Sequence, residues 1–281
     1  MKYCYYILSV SLLILIFSCD DKVDLEQFID DSEELTLVYS SISPQDTILK
    51  VRVLKTLSSD NNIEINNSDA FVIPNAVITL SDATNNSVRL SYNSDDKNYQ
   101  IEATQLEILP GATYFLSVMV DQREFTSSCT IPNNAVTELA FELTDNLNNA
   151  GDLKESVTIR FLDIPEASNN YIVGARIEDD AFDLFLDFEN RRFITDQIED
   201  GALLASFGFF NNNPDSVTDI TLQVANVEPI LYDSLFASYS NKENRQNPFY
   251  EVIIPPNNIE GENAYGVFAG FQITERLITY Q

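Results

Sequence analysis

The chain has 281 residues, 44 of them acidic against 16 basic, for a formal net charge of -28. A surface of that sign repels nucleic-acid phosphate and anionic lipid headgroups alike, so neither is an expected partner. Histidine is absent, which excludes Ser-His-Asp triads, Cys-His pairs and every metal site built on imidazole.

The first element is a leader. Lys2 precedes an apolar run from Ile7 to Phe17, interrupted by Ser9 and Ser11 and closed by Ser18-Cys19. The run is shorter than the ~20 residues that cross a bilayer, and Asp20-Asp21 would cost a few kcal/mol each inside one (about 2.5–3.5). One cation, a short apolar core and a small residue before cysteine form a secretory signal, and Ile16-Phe17-Ser18-Cys19 resembles a lipobox. Residues 1–18 are therefore expected to be removed and Cys19 to carry the lipid that holds the protein to a membrane. Residues 19–34 read as an acidic, solvated tether, and no later apolar run is long enough to span. Lipid on Cys19 leaves Cys129 without a disulfide partner in the mature chain, so Cys129 is expected to be a buried, inert thiol.

From Leu35 the pattern is β. Leu35–Tyr39 and Thr47–Leu54 flank Ser43-Pro44-Gln45-Asp46 as a hairpin. An Asn-rich loop from Ile63 to Ala70 precedes Ala76–Leu80, and Val88–Tyr92 and Tyr99–Ile101 follow, with turns at Asn85-Asn86 and Asp95–Asn98. Leu109-Pro110-Gly111 is a turn before Thr113–Val120, the best strand of this half, which Asp121-Gln122 turns into Arg123–Thr130. Ile131–Asn134 reads as a hinge. Beyond it Val136–Leu143, Val157–Leu162, Tyr171–Ile177, Phe182–Phe188, Ala202–Phe210 and Thr218–Val224 read as strands, with Asp145–Asp152 a loop. Glu228–Ser240 is the one predicted helix, with Pro229 in its first turn and an apolar stripe through Ile230, Leu231, Leu235 and Phe236. A strand at Tyr265–Phe271 lies in the tail. The expected fold is mainly β, with two β-sandwich-like domains over 35–132 and 133–281 and one helix in the second.

Chemistry is sparse. There is no Gly-x-Ser-x-Gly elbow, phosphate loop or Gly-x-Gly-x-x-Gly turn, and no catalytic residue or cofactor is expected. Asp95-Asp96-Lys97-Asn98 and Asp179-Asp180 offer oxygen to calcium but lack the spacing of a dedicated loop, so ordinary solvated turns are expected and no metal site is assigned. Asp46-Thr47-Ile48, Asp215-Ser216-Val217 and Asp233-Ser234-Leu235 resemble a short O-glycosylation motif. Tyr265, Phe268 and Phe271 are candidates for a partner-docking edge, with packing of a core strand as the alternative.

Several segments also resemble a known family. Pro74-Asn75-Ala76-Val77-Ile78 and Leu109-Pro110-Gly111-Ala112-Thr113-Tyr114 lie in the first half. Val157–Asp163 before Asn169-Asn170-Tyr171, Asn247-Pro248-Phe249, Asn257-Asn258-Ile259-Glu260-Gly261 and Gly266-Val267-Phe268-Ala269 lie in the second. Behind a lipobox, their order is similar to that of a Bacteroidota lipoprotein family known as domain of unknown function 4249. The resemblance implies an Ig- or transthyretin-like first half and genes beside TonB-dependent outer-membrane receptors. Acidic residues after the lipidated cysteine, here Asp20 and Asp21, look like that phylum's signal for export to the cell surface. The implied role is a non-enzymatic accessory or ligand-capture subunit of a TonB-dependent transporter, its ligand unnamed. A free-standing adhesin and a hydrolase using carboxylates alone are the alternatives. Where the family usually has Gly-Gly after Asn-Ile-Glu, this chain has Gly261-Glu262-Asn263.

Overall fold

Side chains that alternate in the sequence alternate in burial once strands pair. Along β6 (Thr113–Val120), Tyr114, Leu116, Val118 and Val120 enter the core while the residues between them face outward. The computed structural model describes residues 34–56, 68–148, 150–165, 168–177, 186–196, 200–210 and 218–280. The remaining strands of the first half are β1 (Thr36–Ile42), β2 (Ile48–Lys55), β3 (Val77–Asp82), β4 (Ser87–Asn93), β5 (Asn98–Glu102) and β7 (Arg123–Thr130). The second half has β8 (Ala140–Leu147), β9 (Leu153–Leu162), β10 (Asn170–Ile177), β11 (Leu186–Asp187), β12 (Phe193–Thr195), β13 (Leu203–Phe210) and β14 (Thr218–Val227). Helix α1 (Pro229–Glu243) and the long β15 (Ala264–Tyr280) complete it. The fold is mainly β, with one α-helix among the described residues. The signal segment, Cys19, Asp20, Asp21 and the tether up to Glu33 lie outside them.

One sheet runs β12-β10-β14-β15-β1-β2-β5-β4-β3-β6-β7, and a second runs β11-β13-β9-β8. All pairings are antiparallel except that of β1 with β15. β15 holds its two neighbours at different ends: Ala264–Gly270 pair with β1, and Phe271–Tyr280 pair with β14. Two apolar clusters follow from this stagger. The first gathers Val38, Leu49, Ile78, Leu116, Phe125 and, from the far end of the chain, Ile259 and Phe268. The second gathers Val136, Val157, Phe161, Tyr171, Leu222 and Ile278. The Ile131–Asn134 segment lies between them in sequence, and Glu34–Gln281 forms one compact unit.

Three buried tyrosines bolt connecting segments to the sheets. Each hydroxyl donates to one group and accepts a backbone N–H. Tyr99 joins Ile73 to Ala76, Tyr114 joins Glu107 to Leu109, and Tyr171 joins the Asp163 carboxylate to Ile164. The expected turns carry left-handed residues where short polar or flexible side chains tolerate them: Asn85, Lys97, Asp121 and Gly111.

Helix α1 departs from the expected stripe. Tyr232, Phe236 and Tyr239 pack their rings around Phe193 of β12, at centroid distances of 5.5, 5.3 and 5.7 Å, while Leu235 is exposed and Ser234 and Ala237 are buried. Spacings of four and three keep one helical face, whereas the five-residue step from Ile230 to Leu235 turns away from it. The side chain of Glu228, the residue before the helix, caps nothing on it. Its two oxygens accept the N–H groups of Thr130 and Gly270, tying α1 to both β7 and β15. Two other expectations moved. The predicted strand at Val136 starts at Ala140, because Val136 and Leu139 are buried in irregular chain. The predicted loop 145–152 narrows to a turn inside the β8–β9 hairpin.

In the first turn, Asp46 accepts the Ser43 N–H at 2.8 Å. Burial pushes its carboxyl up to about 6, against the opposing pull of that bond and of Lys50. A raised folded-state pKa means a contribution fully present below pH ~4 and lost as pH rises through ~6. We expect Asp46→Asn to remove about 1–2 kcal/mol of this pH dependence, a figure reduced for the solvent that reaches the carboxylate. Urea midpoints at pH 4 to 8 for both proteins would measure it, and parallel curves would show that Asp46 is not the group responsible.

Candidate functional site

The chain leaving α1 is short of regular structure and dense in side-chain anchors. Asn247-Pro248-Phe249-Tyr250 is a β-turn, with proline at its second position and the Tyr250 N–H bonded to the Asn247 carbonyl. Ile253 is held on both sides by Asn241 of α1: its N–H donates to Oδ1 and its carbonyl accepts from Nδ2. The Tyr265 hydroxyl donates to the Pro255 carbonyl. Asn257 accepts the N–H groups of Gly266 and Ile259, and Asn258 exchanges a pair of bonds with the backbone of Phe268. Glu260 then bridges to β7, its N–H and carbonyl both bonded to Thr126. At Gly261, φ is +143° and a Cβ would lie 2.6 Å from the Phe125 ring and 2.9 Å from the Glu124 carbonyl, so glycine is required there. Asn263 takes the second left-handed position at φ +55°. A residue that tolerates αL thus stands near where the family has its second glycine.

This strap walls one side of a groove. Its floor is the outward face of β3, β6 and β7, whose registers place Thr79, Ser117 and Thr126 in one row and Ser81, Phe115 and Ser128 in the next. These six residues, with Asn257–Glu260 as the opposite wall, enclose a volume of about 540 Å³. The size suits a small-molecule site. Phe115 stands 45 % exposed amid the hydroxyls. The edge of β7 beyond the groove has its backbone engaged: Thr126 bonds Glu260, Thr130 bonds Glu228, and the Ser128 carbonyl accepts from Asn258.

The segments that form these anchors are matched by a family model. A model described as domain of unknown function (DUF4249) covers residues 22–276. The chain belongs to that family. A search of curated proteins finds no match. In this DUF4249 chain the motifs noted in the sequence prove to be structural fastenings. Leu109–Tyr114 is a turn bolted by Tyr114, and Asp163 with Asn169-Asn170-Tyr171 is a hydrogen-bonded corner. Asn257–Gly261 is the pinned strap.

The residues singled out from sequence separate. Phe268 is 0 % exposed in the first core and offers nothing to a partner, while Tyr265 and Phe271 are half-buried. A docking edge of all three is therefore corrected, because successive residues of a strand face opposite sides and Phe268, three positions from each, falls on the other face from Tyr265 and Phe271. Asp95 and Asp96 sit exposed in the β4–β5 turn, where the N–H groups of both bond the Asn93 side chain. Asp179, Asp180 and Asp215-Ser216-Val217 lie outside the described residues, as do Phe182–Phe185 of a predicted strand. Thr47 is exposed, but Ser234 is buried on α1 and closed to a glycan. Cys129 is buried, and desolvation with the nearby Glu228 carboxylate pushes its thiol well above the ordinary range, which makes it inert.

Besides the groove, two features were missed. Phe249, Val252 and Ile254, exposed at 95, 68 and 81 %, project from the pinned segment. Composition gave no hint, since a Pro-rich stretch with scattered apolar residues reads as loop. The other is a group of three carboxylates, Asp163, Asp196 and Asp200, whose oxygens lie within 4.8 Å of one another. Such oxygens could hold a hard cation. Protein donors already serve this group: Asp163 accepts Tyr171 OH and the Gly201 N–H, and Asp196 accepts the Asn169 N–H.

Proposed function

We propose that the protein is a lipid-anchored, surface-exposed outer-membrane lipoprotein, acting as a non-enzymatic ligand-capture subunit of a TonB-dependent transporter. The lipobox ending at Cys19, the acidic Asp20-Asp21 that follows, and the lipoprotein character that the resemblance implies support the anchor and its outward face. The observation that carries the accessory role is the apolar trio Phe249, Val252 and Ile254. Solvent-exposed apolar residues on a segment fastened by Asn241 and Tyr265 are poor for solubility and suited to docking. Tyr265 pairs with Leu37, so the fastened segment reaches the start of β1, where the tether joins the body.

The test is purification of the tagged protein in mild detergent from native outer membranes. A TonB-dependent receptor is expected in stoichiometric amount, and changing Phe249, Val252 and Ile254 together to serine is expected to cut its recovery by about tenfold or more. Cys19→Ala should release the protein from the membrane. Recovery of the lipoprotein alone, under conditions that preserve a known receptor–lipoprotein pair, would instead favour a free-standing adhesin.

A further inference from the structure

We propose that the groove between the β3–β6–β7 face and the 257–260 strap binds a neutral, polyhydroxylated chain, a glycan, with Phe115 as its stacking platform. The proposal deepens the ligand-capture reading by naming the class of ligand.

The floor carries no ionisable group, in a chain where 44 of 281 residues are acidic. Five of its six positions are serine or threonine, each able to give one hydrogen bond and accept two. Ser117 is turned to Glu124 at 3.1 Å. The side chains of Thr79, Ser81, Thr126 and Ser128 bond no other described residue, so four hydroxyls remain for a ligand. Phe115 lies between Ser81 and Ser128 across the strands, and Thr113 and Ser117 flank it along its own strand. A phenyl face ringed by hydroxyls matches a pyranose, which presents C–H groups on its faces and O–H groups around its edge.

Other ligand classes fit less well. An anion would meet Glu260 on the rim and the acidic surface beyond. A cation would find carboxylates only at the margin, in Glu260 of the strap and in Glu124 bonded to Ser117, and none among the six floor residues. An extended peptide recognises a sheet by adding a strand, and the outer edge of β7 is already occupied at Thr126, Ser128 and Thr130. What is left is recognition by side-chain hydroxyls and one aromatic ring.

The experiment is calorimetric titration of the full-length protein in detergent with maltohexaose, cellohexaose, laminarihexaose, mannohexaose and chitohexaose in turn. Saturable binding of at least one is expected, unchanged between roughly 50 and 500 mM sodium chloride because the ligand is uncharged. Phe115→Ala should weaken it by about tenfold, Phe115→Tyr should retain it, and Ser128→Val should weaken it several-fold. Phe115 is half-exposed, and unchanged circular dichroism and melting would certify the folds. Failure of all five saccharides to bind, binding indifferent to Phe115→Ala, or salt-sensitive displacement by a peptide or polyion would each overturn the proposal. Glycan binding without a co-purifying receptor would leave the groove standing and remove the transporter. A receptor without glycan binding would do the reverse.

Discussion

Gly266→Ala is expected to destabilise the protein by on the order of 3–5 kcal/mol, from backbone strain and overpacking together. Gly266 has φ +142°, a region essentially closed to L side chains, and an added Cβ would collide with the backbone of Val38, with the Val38 nitrogen 2.9 Å away. The neighbour is a backbone segment paired in register with it, so neither side can retreat without breaking the β1–β15 ladder. The same ladder carries the Asn257 anchor, because the Gly266 N–H donates to Asn257 Oδ1. Thermal melting should fall by roughly 10 °C or more for a chain of this size. Gly174→Ala is the internal control: it lies in β10 with nothing within 4 Å of the added carbon, and should change stability by about 1 kcal/mol at most. Equal melting shifts for the two variants would sink the argument from close approach.

Phe268→Ala and Phe249→Ala should differ as sharply as two phenylalanine truncations can. Phe268 is 0 % exposed, among Val38, Leu49 and Phe125 in the first cluster, and its loss should cost about 3–5 kcal/mol in transfer and cavity terms. Phe249 is 95 % exposed, and its loss should lie within about 0.5 kcal/mol of zero. Denaturant midpoints give both numbers. Receptor recovery should reverse the order, with a folded Phe249 variant docking poorly. A Phe249 variant as unstable as the Phe268 one would mean the turn is part of the fold's support.

How far the sequence revealed this structure depends on the range of the interaction concerned. Strands β6 and β7 were legible because Thr113–Val120 is rich in aromatic and β-branched residues between turn signals, and the turn into Arg123–Thr130 needs only Asp121 to enter αL. The start of α1 was legible from Pro229. Its buried face was not, because Phe193 decides that face from outside the helix. Phe268 and Tyr265 look alike as aromatic residues of a terminal strand; only the pairing with β1, set by residues at the other end of the chain, separates core from surface. The groove was invisible for a related reason. Thr79, Ser81, Ser117, Thr126 and Ser128 each read as the solvent face of a strand. They become a floor only when the strap, fastened by asparagines to β15, runs beside β7 as a wall.

The division of β15 between two partners also dictates an order of events. The first half of the protein is synthesised early, yet its core lacks Ile259 and Phe268, and β1 lacks its neighbour, until Ile259–Gly270 have been made. Thr36 must then find Ala264 across almost the whole described chain, a closure of very high contact order and correspondingly slow. Until it happens β1 is an exposed edge, open to pairing with other chains. The first core is thus completed only when the last strand has been made, and its late-closing seam is where a chaperone would be needed most.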